Sequence, residues 1–304
     1  MKILNRMKSQ LLQLTLILGV MMAVPTISMA AQPTVNLGTT STFAVMAGTT
    51  ITNTGKTTIN GDVGLFPGTA FTGQETVAMK GNKHLANVVA NVAKSDLVIA
   101  YNNTDEKLPV TRISTELGGT TLTPGTYDSA DGTFQITGTL TLDAQGDPNG
   151  VFVFKTASTL ITASGSSVNL INSARFRQTF WKVGSSATLG TNSHFVGHIS
   201  ALTSITANTG ATVQGQLLAR NGAVTLDTNT ITNGISATTP TPLTSAITAE
   251  VGWSDGIPAY VLIPADYTEV RWNVYTATIA EQKLLLMAMP EQHKNKLMRR
   301  SRNL

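Results

Sequence analysis

Threonine supplies the side chains whose type and spacing recur most regularly in this chain. With segments 186–193, 204–211 and 223–230 aligned, Thr188, Thr206 and Thr225 form one column, and Thr191, Thr209 and Thr228 form a second. The offsets are 18 and then 19 residues, short for a two-helix repeat but suited to one turn of a β-solenoid. Rungs of such a stack lie about 4.7–4.9 Å apart, so a column in sequence becomes a straight row in space. If Ile205 and Ala207 point inward, Thr206 points outward. Each threonine of that row offers a methyl and a hydroxyl held in few rotamers by β-branching. Such a row can order water, with the methyls in cages and the hydroxyls anchoring them. The second column falls near a corner, where threonine hydroxyls commonly bond turn backbone. Asp227 also puts a charge beside it, so a structural role is the better reading there.

Catalytic and metal chemistry find little support. The histidines are His84, His194, His198 and His293, and no carboxylate or serine stands at a spacing that proposes a triad or a metal cage. His194 and His198 read as two exposed solenoid side chains. Asp128, Asp131, Asp143, Asp147 and Asp227 are scattered, mostly at Gly- or Pro-containing turns where Asp is ordinary turn chemistry. The expectation is no catalytic residue, no metal and no cofactor.

Charge narrows the partners. The formal net charge of the chain is +4, but its cations crowd both ends. Between Gln32 and Leu243 eleven Lys and Arg balance eleven Asp and Glu, a poor basis for phosphate recognition and hence for nucleic-acid binding. The same stretch holds 41 threonines, so its hydroxyls, not its charge, set it apart. There is no cysteine, and folding relies on an apolar core alone.

The elements that must position the threonines follow along the chain. Residues 1–31 read as a secretory signal peptide: Lys2, Arg6 and Lys8 precede an apolar run from Leu11 to Val24, then Ser28-Met29-Ala30 supplies small residues for cleavage. The mature chain is therefore expected outside the cell or on its surface, with no membrane association after cleavage. Short alternating strands separated by Gly and Asn fill 35–72. From about 75 to 102, Ala86, Val89, Ala90, Ala93, Leu97, Ala100 and Tyr101 fall at helical spacing, which predicts one long helix with one side to bury. Strands then resume, three per repeat, implying a triangular cross-section. Thr50-Ile-Thr-Asn-Thr-Gly55 echoes Ser204-Ile-Thr-Ala-Asn-Thr-Gly210. Coils written on both sides of the helix thus suggest one interrupted stack. Residues 241–304, with Trp253, Tyr260, Tyr267, Trp272 and Tyr275 and a basic end, form a C-terminal extension without an assigned role, self-association being one open to it.

Several motifs, in order, resemble the DUF3494, or ice-binding-like, family of microbial exported proteins. They are Asn36-Leu-Gly-Thr-Thr-Ser-Thr-Phe-Ala-Val45, Ile51-Thr-Asn-Thr-Gly55, Ile59-Asn-Gly-Asp-Val63, Leu122-Thr-Pro-Gly-Thr-Tyr127, Gly150-Val-Phe-Val-Phe154 and Trp181-Lys-Val-Gly184. The resemblance implies an all-β solenoid, a discontinuous three-faced parallel β-helix of triangular cross-section over 32–240, with one long α-helix packed alongside. It also implies that a flat face bearing Thr-Ala/Gly-x-Thr stretches binds ice. Thr156-Ala-Ser-Thr159, Thr206-Ala-Asn-Thr209 and Thr209-Gly-Ala-Thr212 fit that pattern, adding Thr156, Thr159 and Thr212 to the candidates. The expected partner is an ice surface and the expected role restraint of ice growth or recrystallisation. The alternative is a non-catalytic surface or adhesion module on the same scaffold.

Overall fold

The computed structural model describes residues 32–234, so the signal segment 1–31 and the extension 241–304 lie outside the described residues. The described strands pair in parallel throughout, and one α-helix accompanies them. A full circuit of chain lays one strand in each of three arrays; the circuit that begins at Val110–Ile113 meets one of them only through the isolated bridge of Glu116 with Gln135. The helix-side array stacks, in order, Val110–Ile113, Gly125–Ser129, Phe152–Thr156, Thr179–Val183, the last halves of His194–Ala201 and Thr212–Ala219, Phe43–Ala47, Asp62–Leu65 and Lys83–Leu85. The threonine array stacks Phe134–Ile136, Leu160–Thr162, Ala187–Leu189, Ile205–Ala207, Val224–Asp227, Thr50–Thr54 and Ala70–Thr72. The remaining, mixed array runs from Thr121–Leu122 to Val77–Lys80 through Thr139–Asp143, Ser167–Ile171, the first halves of the two long strands, Thr230–Thr232 and Thr57–Asn60.

The chain enters this stack in its middle. Phe43–Ala47 has Thr212–Ala219 on one side and Asp62–Leu65 on the other. The first circuits build one end, the helix carries the chain back, and residues 110–232 climb from the far end until Thr230–Thr232 docks on Thr57–Asn60. The interrupted stack expected from the echo of 50–55 in 204–210 is therefore present.

Alternation explains how each strand holds its place. Ile51, Leu189, Ile205, Ala207, Val224 and Leu226 are fully or almost fully buried, while the residues between them face out. Inside, Phe154 stacks on Trp181 at 3.9 Å, and the indole donates to the Val196 carbonyl at 3.0 Å. The two eight-residue strands bend between arrays at Gly197 and Gly215, which are register partners with φ of +115° and +150°. A Cβ on Gly215 would stand 1.9 Å from the Gly197 carbonyl oxygen, so only glycine fits that corner.

The helix is Val88–Asp105, capped by Asn87, whose side chain accepts from the Ala90 amide at 3.0 Å. It starts 13 residues later than the expected 75. Residues 77–80 and 83–85 form strands instead, pairing with Thr57–Asn60 and Asp62–Leu65. Val77 and Met79 pack on the core while the alternate residues Ala78 and Lys80 are exposed, so edge pairing overrides the helical spacing there. Of the expected stripe, Ala90, Ala93, Leu97, Ala100 and Tyr101 are buried, whereas Ala86 precedes the helix and Val89 is exposed. Ala93 and Leu97 cluster with Phe43, Met46 and Leu218, and Ala100 with Val151, Val153 and Phe180. The helix thus covers the outer side of the helix-side array.

Candidate functional site

Covering one array leaves two with exposed outer rows. His198, Ser200, Gln216 and Leu218 belong to the covered one and are all buried. His198, expected to be exposed, is in fact packed with Phe176 and Phe180 at ring distances of 6.0 and 5.3 Å. Burial lowers its pKa to about 4, Arg177 adding to the effect. It is therefore a neutral core group at ordinary pH. His194 does lie at the surface.

The threonine array carries the regular surface. Register pairs Thr188 with Thr206, Thr206 with Thr225, Thr225 with Thr52 and Thr52 with Thr72. Five threonines on five successive rungs thus share one outward row, about 19 Å long from a spacing of about 4.8 Å. The row continues at the other end into Ile161 and Gln135. Two residues earlier on the strands, roughly 6.6 Å away, runs a second row of small groups. There the Thr133 and Thr159 hydroxyls lie 3.2 Å apart, Ser186 Oγ accepts from the Ser204 amide at 3.3 Å, and Ser204 Oγ accepts from the Ala223 amide at 3.2 Å. No side chain in either row carries a charge. Chemically, these two rows present methyls and hydroxyls at fixed intervals on a stiff backbone. Thr52 and Thr72 were absent from the sequence-derived candidates. The echo of residues 50–55 in 204–210 was the signal that could have found Thr52.

The other candidates divide. Thr191 and Thr209 are exposed at the corner that follows the array. Thr228 leaves their column: it has φ +55° and its amide donates to the Thr54 carbonyl, while Asp227 pairs with Thr54. The column in space is Thr191, Thr209, Asp227, Thr54, because the circuits through Thr191 and Thr209 hold one more residue before the corner. Thr209 and Thr228 both donate to the Asp227 carboxylate, so this rim is a hydrogen-bonded corner with a charge at its centre. Thr156 is 3% exposed, ends a helix-side strand and donates to the Gly132 carbonyl; it cannot touch any surface. Thr159 lies in the small-residue row. Thr212 sits on the mixed array between His194 and Thr230. Its hydroxyl is 2.8 Å from His194 Nδ1, and nearby Thr139 and Ser167 hydroxyls pair at 2.9 Å. Hydroxyls there bond one another, with a His and, at the end of the array, Lys80 interspersed. Among the described residues no cluster of three or more His, Asp or Glu stands ready to hold a metal ion.

An all-parallel stack flanked by one helix is an architecture shared with proteins already known. Residues 45–232 match the ice-binding-like family, and the chain belongs to that family. An ice-binding protein of Nostoc sp. (strain HG1) is 46% identical over 199 residues, covering 65% of this chain and 73% of the relative. The crystal structure of an ice binding protein from an Antarctic biological consortium superposes with TM-score 0.66 at 43% identity, over 69% of this chain and 96% of that one. That of an ice-binding protein from the Antarctic ascomycete Antarctomyces psychrotrophicus gives 0.63 at 39% identity, over 66% and 98%.

Proposed function

We propose that this chain is an exported, non-catalytic ice-binding protein that adsorbs to ice through the threonine array and restrains growth or recrystallisation. One observation carries the reading: Thr188, Thr206, Thr225, Thr52 and Thr72 fall in unbroken register in one outward row that holds no charge. The three arrays close, on this reading, into a three-faced β-solenoid of triangular cross-section. Each flat side is then stiff enough that little entropy is lost on contact. The rung spacing of about 4.8 Å is close to the distance between equivalent rows of oxygens in hexagonal ice, so water caged over one threonine continues the lattice over the next. Single contacts are weak, but all must break together for the protein to leave. Names and structures of the relatives support the same activity. The test is to watch single ice crystals in solutions of the purified chain. Faceted crystals and a gap between melting and freezing points are expected. Round discs at high protein concentration overturn the reading.

A further inference from the structure

A second surface feature lies where the helix meets the edge of its array. A pocket of about 360 Å³ opens there, lined by the cations Lys94 and Arg220, the amides of Asn91 and Asn221, and an apolar wall of Phe66, Pro67 and Val98. Its size falls at the small end of ligand pockets, roughly 300–1,000 Å³. Lys94 is 8% exposed, a rare condition for a lysine. Its ammonium donates to the Ala219 and Arg220 carbonyls. Arg220 rests its guanidinium over the Tyr101 ring at 5.4 Å, and its Nε is buried without an acceptor. Among the described residues neither cation forms an ion pair: the one salt bridge is Lys182 with Asp105. Two buried or half-buried cations that repel each other, with a donor left over and no counter-charge, are costly. An anion in the pocket supplies the missing counter-charge.

We propose that this pocket binds a small organic carboxylate, its charged end between Lys94 and Arg220 and its apolar body against Phe66, Pro67 and Val98. The arginine fork suits a planar carboxylate. The apolar wall suits an organic body that inorganic phosphate lacks, and this distinguishes the two anions. The site stands apart from the threonine array and does not depend on ice binding.

Isothermal titration of the full chain at constant ionic strength tests it, with benzoate as the probe and inorganic phosphate as the comparison. Saturable one-to-one binding of benzoate is expected, about tenfold or more tighter than phosphate. Asn91→Asp puts a negative charge at the exposed mouth without touching the core. It is expected to weaken benzoate about tenfold or more at an unchanged melting temperature, and Arg220→Gln to do the same. No saturable heat with benzoate, equal affinity for phosphate, or full binding in Asn91→Asp would each overturn the proposal.

Discussion

Replacing Thr206 by tyrosine attacks the middle of the row. Thr206 is half-buried with its side chain outward between Thr188 and Thr225. A phenol ring there stands well above the threonine methyls and holds a flat surface away from both neighbours. Three of the five rungs then lose contact. Taking about 0.8 kcal/mol for each methyl withdrawn from its cage, the loss is roughly 2.4 kcal/mol, or about fiftyfold in adsorption equilibrium. The fold should hardly notice, since an outward substitution on a rung costs about 0.5 kcal/mol or less. The assay is freezing-point hysteresis against protein concentration, with a thermal melt of the same preparation as control. Thr212→Tyr on the mixed array provides the matched comparison and should leave hysteresis close to wild type. If Thr206→Tyr keeps full hysteresis, or if Thr212→Tyr loses as much, the surface has been assigned wrongly.

Other consequences are open to measurement. Asp227→Asn removes the charge at the rim while keeping an acceptor for Thr209 and Thr228, so hysteresis should stay level or rise. A marked fall would mean that the carboxylate itself takes part. His198 is held neutral in the folded chain with its pKa lowered to about 4, against about 6.5 when unfolded. The unfolded chain therefore takes up the proton first, and stability present above pH 6.5 is lost as pH falls toward 4, by about 3 kcal/mol. Urea midpoints across that range should show the slope, and His198→Phe, which keeps a ring between Phe176 and Phe180, should flatten it. Gly215→Ala must move the Gly197 carbonyl and adopt a backbone that disfavours a side chain. A loss of about 3 kcal/mol or more is expected in denaturant melts, and a loss under 1 kcal/mol would show the corner to be tolerant.

Much of the architecture could be read from the chain because a stacked fold repeats its instructions. The 18- and 19-residue offsets placed Thr188, Thr206 and Thr225 on one row, and the echo between 50–55 and 204–210 anticipated that the N-terminal strands join the same stack. Where reading failed, a neighbour in space rather than in sequence decided the outcome. Val77–Lys80 carries apolar residues that also suit a helix, but an unpaired edge at Thr57–Asn60 draws it into the sheet. Thr228 looked equivalent to Thr209 until a one-residue difference before the corner put Asp227 in its place. Thr156 fits the Thr-Ala-x-Thr pattern yet closes a strand on the covered side, since four letters do not say where a corner falls. Thr72 lies in a stretch with no repeat of its own, and only pairing with Thr50–Thr54 brings it into the row. His198 was misjudged because alternation along its strand gives the outward direction but not the Phe176 and Phe180 rings packed against it.

Whether hydroxyls and methyls set rung above rung hold ice is tested most directly by growing an ice hemisphere slowly from a dilute solution of fluorescently labelled chain. Wild type should be taken up into the ice on defined crystal planes while Thr206→Tyr stays largely in the liquid. Exclusion of the wild-type chain ahead of the advancing front, as for an ordinary soluble protein, would contradict the account.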